Sequence, residues 1–212
     1  MNLKMYFKDR VDAGKKLAEK LKSFKERQDV TLFAVPRGGI VVAEVIADEL
    51  KLSLDIVLAK KIGAPFNREF AIAAVDITGD IVLNTEYVEY FSMKEEYIEH
   101  QKKKVLKSLK EQLIKYRGKL EYESLENRIA IIVDDGIATG ATTKACIGFL
   151  SKLNPKHIYI ATPVIAPSTL KELEKECDGI FYLISEEPFY AVGQFYVDFS
   201  EVSEDSIKKL LS

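Results

Sequence analysis

"RIAIIVDDGIATGATTKACIGFL", Arg128 to Leu150, sets five consecutive apolar residues, Ile129 to Val133, directly before two adjacent carboxylates, Asp134 and Asp135. A short Ile- and Val-rich run of this kind reads as a strand buried on both faces. The polar, glycine-punctuated "GIATGATT" reads as a loop, and the segment near Thr142 to Leu153 as a helix. In open parallel sheets ligands bind beyond the carboxyl ends of the strands, which is where this acidic pair falls. Neighbouring carboxylates raise each other's pKa unless a cation or hydrogen-bond donors engage them. The hydroxyl groups of a sugar, or a metal with its waters, meet that need. The backbone N–H groups of the loop and the helix N-terminus behind it make a cradle for a phosphate monoester. Acidic pair plus cradle points to a ribose 5-phosphate, with its 2- and 3-hydroxyls on the carboxylates and its phosphate on the loop.

The flanking chain keeps the same strand–helix rhythm. "VTLFAV" (Val30 to Val35) stops at Pro36, "IVVAEVIADELK" has helical length, and "LDIVLAKK" is another apolar run, so the three form a βαβ unit. "FAIAAV" and "DIVLN" read as a hairpin around Asp76 to Gly79. Beyond the opening stretch come a strand "HIYIATPV", a helix from Ser168 to Glu176 and a strand "GIFYLI". At the start, Asp9 N-caps a helix with Val11, Leu17, Leu21 and Phe24 on its inner face. This alternation predicts an α/β fold, a mostly parallel sheet with helices on both faces. Residues 85–127 depart from it as a helical insertion: Ile98, Val105, Leu106, Leu109 and Leu113 lie at helical spacing in a charged background, as one or two long amphipathic helices against the sheet. Tyr87, Tyr90, Phe91 and Tyr97 offer that segment a homodimer surface.

Composition narrows the classes. A chain of 212 residues, 47% hydrophobic, suits one domain, 1–212. Lys and Arg (31) nearly balance Asp and Glu (33), so no basic footprint for nucleic acid is present. Cys146 and Cys177 have no Cys or His at ligand spacing, which argues against zinc and leaves them as core thiols of a reducing compartment. The start "MNLKMYFKDRVDAGKK" lacks a signal-peptide apolar run, and no window is apolar enough to span a membrane; a cytoplasmic protein is expected. Two nucleotide motifs fail. For a Walker A loop Gly136 and Gly140 are one residue too close and Ala141 replaces the lysine, and "PRGGIVVAE" does not supply G-x-G-x-x-G.

"IAIIVDDGIATGATT" resembles the signature that binds 5-phosphoribosyl 1-pyrophosphate (PRPP) in type I phosphoribosyltransferases. "AVPRGG" (Ala34 to Gly39) is similar to that family's pyrophosphate loop, "AKK" ending at Lys61 to its cationic strand end, and "IGAPFNREFA" falls where the family has a mobile loop. The resemblance implies Mg²⁺-dependent transfer of the phosphoribosyl group from PRPP to a nitrogenous base, with pyrophosphate leaving through an oxocarbenium-like state. It implies Asp134 and Asp135 as catalytic residues, and Gly136, Ile137, Ala138, Thr139, Gly140, Ala141 and Thr142 as the 5-phosphate loop. It implies Arg37, Gly38, Gly39, Lys60 and Lys61 at the pyrophosphate, and Gly63 and Pro65 in a closing lid that carries Asn67 or Arg68 inward.

The tail, 186–212, resembles the hood of purine enzymes in "FYAVGQFYVDF": Tyr190 stacks on the base, Val192 offers backbone hydrogen bonds, and Asp198 lies near a Mg²⁺ held mainly by PRPP. Two departures leave the acceptor open. Ala138 stands where 6-oxopurine enzymes carry an aspartate, and "IYIATPVIAP" lacks the lysine that reads a 6-oxo group. The alternative reading is a regulatory module that keeps the PRPP site as a sensor.

Overall fold

The computed structural model describes residues 7–67, 71–204 and 207. Asp9 caps the first helix, α1 (Arg10–Lys20), its Oδ1 accepting from Asp12 N at 2.8 Å and so satisfying one orphan donor of the first turn. Leu17 and Leu21 are fully buried, but Val11, expected beside them, is 40% exposed. Six residues make about one and two-thirds turns, so Val11 stands on a different flank from Leu17.

The chain then forms β1 (Val30–Ala34), α2 (Gly38–Leu50) and β2 (Ser53–Ile56), the expected βαβ unit. "LDIVLAKK" is not one strand. Val57 N still donates to Ala34 O at 3.0 Å, and the chain then leaves for a second sheet beginning with β3 (Ala59–Gly63). Val57, Leu58 and Ala59 are all buried, so the apolar pattern carries no mark of the break. β3, β4 (Ala71–Asp76) and β5 (Ile81–Leu83) make a three-stranded antiparallel sheet that contains the expected hairpin.

Two helices follow, α3 (Thr85–Tyr90) and the long α4 (Glu95–Arg117). α4 gives Ile98 to the core under the small sheet and Leu109, Leu113 and Tyr116 to the main core, as an amphipathic helix laid on a sheet must. Tyr87 and Tyr97 also pack on the small-sheet core, and the Tyr97 hydroxyl donates to Gly63 O at 2.9 Å. Of the four aromatics expected at a partner surface, Tyr90 is the one that stands fully in solvent.

β6 (Ile129–Val133), α5 (Ala141–Ser151), β7 (His157–Val164), α6 (Pro167–Leu173) and β8 (Gly179–Ile184) complete the fold. The main sheet is parallel with order β2-β1-β6-β7-β8. From β1 the chain steps one way to β2, and from β6 the other way to β7, so right-handed crossovers put α2 and α5 on opposite faces. β1 and β6 are accordingly buried at every residue. Between them the winding reverses, which opens a crevice at their carboxyl ends.

α5 also secures the small sheet. The buried Asp76, 2% exposed, accepts from Thr78 N and Oγ1 and from Asp80 N, and its Oδ2 takes Lys152 Nζ at 2.7 Å just past the end of α5. These bonds replace the water that a buried carboxylate gives up.

The segment before α1 meets the segment after β8. Phe7 N donates to Phe195 O at 3.0 Å, Val197 N to Phe7 O and Asp198 N to Lys8 O, both at 2.8 Å, with the Phe7 and Tyr196 rings 5.3 Å apart. The tail segment expected as a hood thus shares its backbone ladder with Phe7 and Lys8. The short helix expected at the very end falls largely outside the described residues.

Candidate functional site

β1 and β6 end side by side, with Ala34 opposite Val133 and Val35 N donating to Val133 O at 2.8 Å. From β6 emerge Asp134 and Asp135. From β1 the chain passes a cis Pro36–Arg37 peptide into the first turn of α2, where Gly38 and Gly39 lie against the acids. A Cβ on Gly39 would stand 2.6 Å from Val133 O and 3.0 Å from Asp134 Cα. The two loops singled out in the sequence therefore touch.

The acids have unlike settings. Asp134 Oδ1 accepts from Asp135 N at 2.9 Å. Burial first, and the neighbouring Asp135 charge second, push the Asp134 carboxyl well above the usual carboxylate range, with Lys61 opposing. Asp135 Oδ2 instead accepts from Arg10 Nε at 2.6 Å, the two side chains being 14% and 11% exposed. The Tyr196 hydroxyl donates to the Asp135 carbonyl at 2.6 Å, and burial pushes that phenol up, so it stays a donor. Arg10 also donates to Ser200 O at 2.8 Å and lies 3.9 Å over the Phe199 ring. Sequence reasoning missed Arg10, because it lies outside every motif and a lone arginine in a capped first turn carries no local signal.

The loop after the acids is pinned at both ends. Ile137 N donates to Val164 O at 2.9 Å and Ala166 N to Ile137 O at 3.0 Å, while the Thr169 hydroxyl donates to Ala138 O. Gly140 has φ +69, a conformation glycine adopts at no steric cost, and it turns the chain into α5. The N–H groups at that helix start, Ala141 and Thr142 among them, have no partner four residues back. Gly136 lies against Val192 and Val164, and the Ile137 side chain is buried. Ala138 and Thr139 are exposed beside a cleft of about 490 Å³ that Ala141, Lys144, Ser168 and Thr169 also line.

The remaining expected residues divide. Lys61 is exposed and its charge bears on Asp134. Lys60 is not with it: successive strand residues face opposite ways, and Lys60 Nζ donates to Ser108 Oγ on α4 at 2.9 Å, burial pushing its pKa down. Arg37 is ion-paired with Glu201 of the C-terminal segment. Tyr190 is 73% exposed, its N–H held by Gln194 Oε1 at 2.7 Å, and the Val192 side chain covers Gly136. Asp198 is exposed, and the bond that its Oδ1 accepts from Ser200 N at 2.9 Å, with Arg10 nearby, holds its carboxyl below the usual range. Among the described residues no group of three or more His, Cys, Asp or Glu is placed to hold a metal ion, so Asp198 does not join the acidic pair in such a set. Asn67 is exposed two positions beyond Pro65, and Arg68 lies outside the described residues.

The family profile of the phosphoribosyl transferase domain matches residues 4–200. A provisionally named phosphoribosyl transferase of Mycobacterium tuberculosis (strain H37Rv) is 33% identical over 205 residues, 97% of this chain. The chain spans 46% of that relative's length. The crystal structure of TT1426 from Thermus thermophilus is similar at a TM-score of 0.79 and 34% identity, over 98% of each chain. The purine phosphoribosyltransferase of Pyrococcus horikoshii shares the fold at a TM-score of 0.51 and 21% identity, over 94% of this chain and 98% of that one. Profile, relatives and sheet topology agree along nearly the whole length, and the chain belongs to the phosphoribosyl transferase domain family with the type I fold.

Proposed function

We propose that the protein transfers the 5-phosphoribosyl group of PRPP to a nitrogenous base, releasing pyrophosphate. One observation carries this reading: two acids and an N–H-lined loop leave the central strand at the switch point, in contact with the glycines that open α2. A ribose 5-phosphate laid there puts its phosphate on the start of α5 and its 2- and 3-hydroxyls on Asp134 and Asp135. The α2 end then holds the pyrophosphate through N–H groups of Arg37, Gly38 and Gly39, with Lys61 as the cation beside it. As the C1–oxygen bond to pyrophosphate breaks and the base nitrogen bonds to C1, the acids sit near the positive charge that develops on the sugar. The base's displaced proton passes to solvent. Holding the reactants aligned is worth up to about 7–11 kcal/mol of the barrier.

Among the described residues the acids have no third ligand beside them, so a Mg²⁺ here would be held mainly by the oxygens of PRPP. Held so, it would neutralise the leaving group. The purine preference rests on the tail motif, and the exposure of Tyr190 supports a stacking role for its ring.

The sensor reading has its own support: Asp135 and Arg37 are already ion-paired within the chain, and Ala138 offers no carboxylate to a base. Incubation with PRPP, Mg²⁺ and a panel of bases, with pyrophosphate as the readout, decides between them. Release with a particular base supports transfer, PRPP-dependent heat stabilisation without release supports sensing, and neither response overturns both.

A further inference from the structure

We infer that Arg10 is a positioning residue for ribose recognition: it locks one oxygen of Asp135 to the protein and leaves the other for the sugar. The inference rests on the PRPP reading above. Three separate restraints hold Arg10, namely Nε on Asp135 Oδ2, Nη1 on Ser200 O, and the Phe199 ring under the guanidinium. Asp135 is gripped from three sides in turn. Arg10 takes Oδ2, Tyr196 holds the main-chain carbonyl, and Gly38 packs so closely that a Cβ there would stand 1.8 Å from Oδ2. A carboxylate so held loses little further freedom when it accepts from a hydroxyl, which is the advantage of preorganisation.

Charge argues the same way. A second acid next to Asp134 is repelled by it, and the Arg10 guanidinium offsets that repulsion at Oδ2. Arg10 comes from α1, and the residues that fix it, Phe199 and Ser200, come from the segment after β8. The acidic signature is thus completed by a clamp of Arg10, Phe199 and Ser200, a role that neither segment shows in its own sequence.

The test compares Arg10→Gln and Arg10→Lys with the parent in steady-state kinetics using the most active base, and in direct PRPP titration with Mg²⁺. Loss of a hydrogen bond to a charged group predicts that Arg10→Gln raises KM and Kd for PRPP about 10- to 100-fold, with kcat changed by less than about threefold. Arg10→Lys restores both constants to within about fivefold of the parent, because the charge returns without the planar fork. Constants within about twofold of the parent in Arg10→Gln, a fall in kcat alone, or a Lys variant no better than Gln overturns the inference. If Arg10→Gln does not fold, Phe199→Leu loosens the guanidinium without removing a charge. A rise of about threefold or more in Kd then supports the inference and no rise overturns it. Should the parent bind PRPP but transfer nothing, the Kd ratios still decide on Arg10 while the transfer reading falls. If the parent binds no PRPP, both fall.

Discussion

Asp135 lies directly against Gly38: a methyl group built on that glycine would meet Asp135 Oδ2 at 1.8 Å and Arg10 Nε at 2.7 Å. The amino end of α2 and the acidic pair therefore share a space with no room for a side chain.

Gly38→Ala must move Asp135, the α2 start or both. Overpacking of this kind costs about 1–3 kcal/mol, and here it also breaks the ion pair with Arg10. The variant melts lower than the parent and binds PRPP at least about tenfold more weakly, since a charged hydrogen bond is misplaced. Thermal melts and PRPP titration check this. Parent-like values for both would show that Asp135 does not occupy this position in solution.

Asp134 links stability to pH. Its carboxyl holds a proton more tightly in the folded protein than in the unfolded chain, because burial and Asp135 disfavour its charge. The stability it contributes is full below the ordinary carboxylate pKa of about 4 and is lost as pH rises through its higher folded value. Asp134→Asn keeps an oxygen for Asp135 N and removes that loss. The variant melts above the parent at about pH 7–8, the gap closes toward about pH 4, and PRPP-dependent turnover falls. A melting difference that does not change with pH would contradict the half-buried setting of Asp134 beside Asp135.

Lys60 and Lys61 are neighbours in sequence with opposite surroundings. Lys61 bears on Asp134, whereas Lys60 is spent on Ser108 of α4. Lys61→Ala lowers kcat/KM for PRPP by about tenfold or more, as loss of a cation from an anionic substrate requires, and Lys60→Ala stays within about threefold. Steady-state kinetics on the two single variants is the measurement. Equal effects would mean that the strand turns over when substrate binds.

Much of the layout was legible locally. The strand read from Arg128 to Val133 became β6, one residue shorter at its start, "HIYIATPV" and "GIFYLI" became β7 and β8, and Asp9 caps α1 as read. Each rests on a short apolar run or a capping side chain, which residues a few positions apart suffice to show. The break inside "LDIVLAKK" escaped because both sheets bury apolar residues, so hydrophobicity alone does not say which sheet a residue joins.

The sequence by itself determined that an acidic pair and a glycine-bearing loop would leave a buried strand and open a helix, since strand, turn and helix starts are set by neighbours. Only the tertiary structure decided which groups surround that pair. Arg10 meets Asp135 across 125 positions, Tyr196 meets it across 61, and Lys60 is turned away to a helix 48 positions on. Those partners are brought in by the order of strands and the pairing of the segments before α1 and after β8, and no local spacing records them.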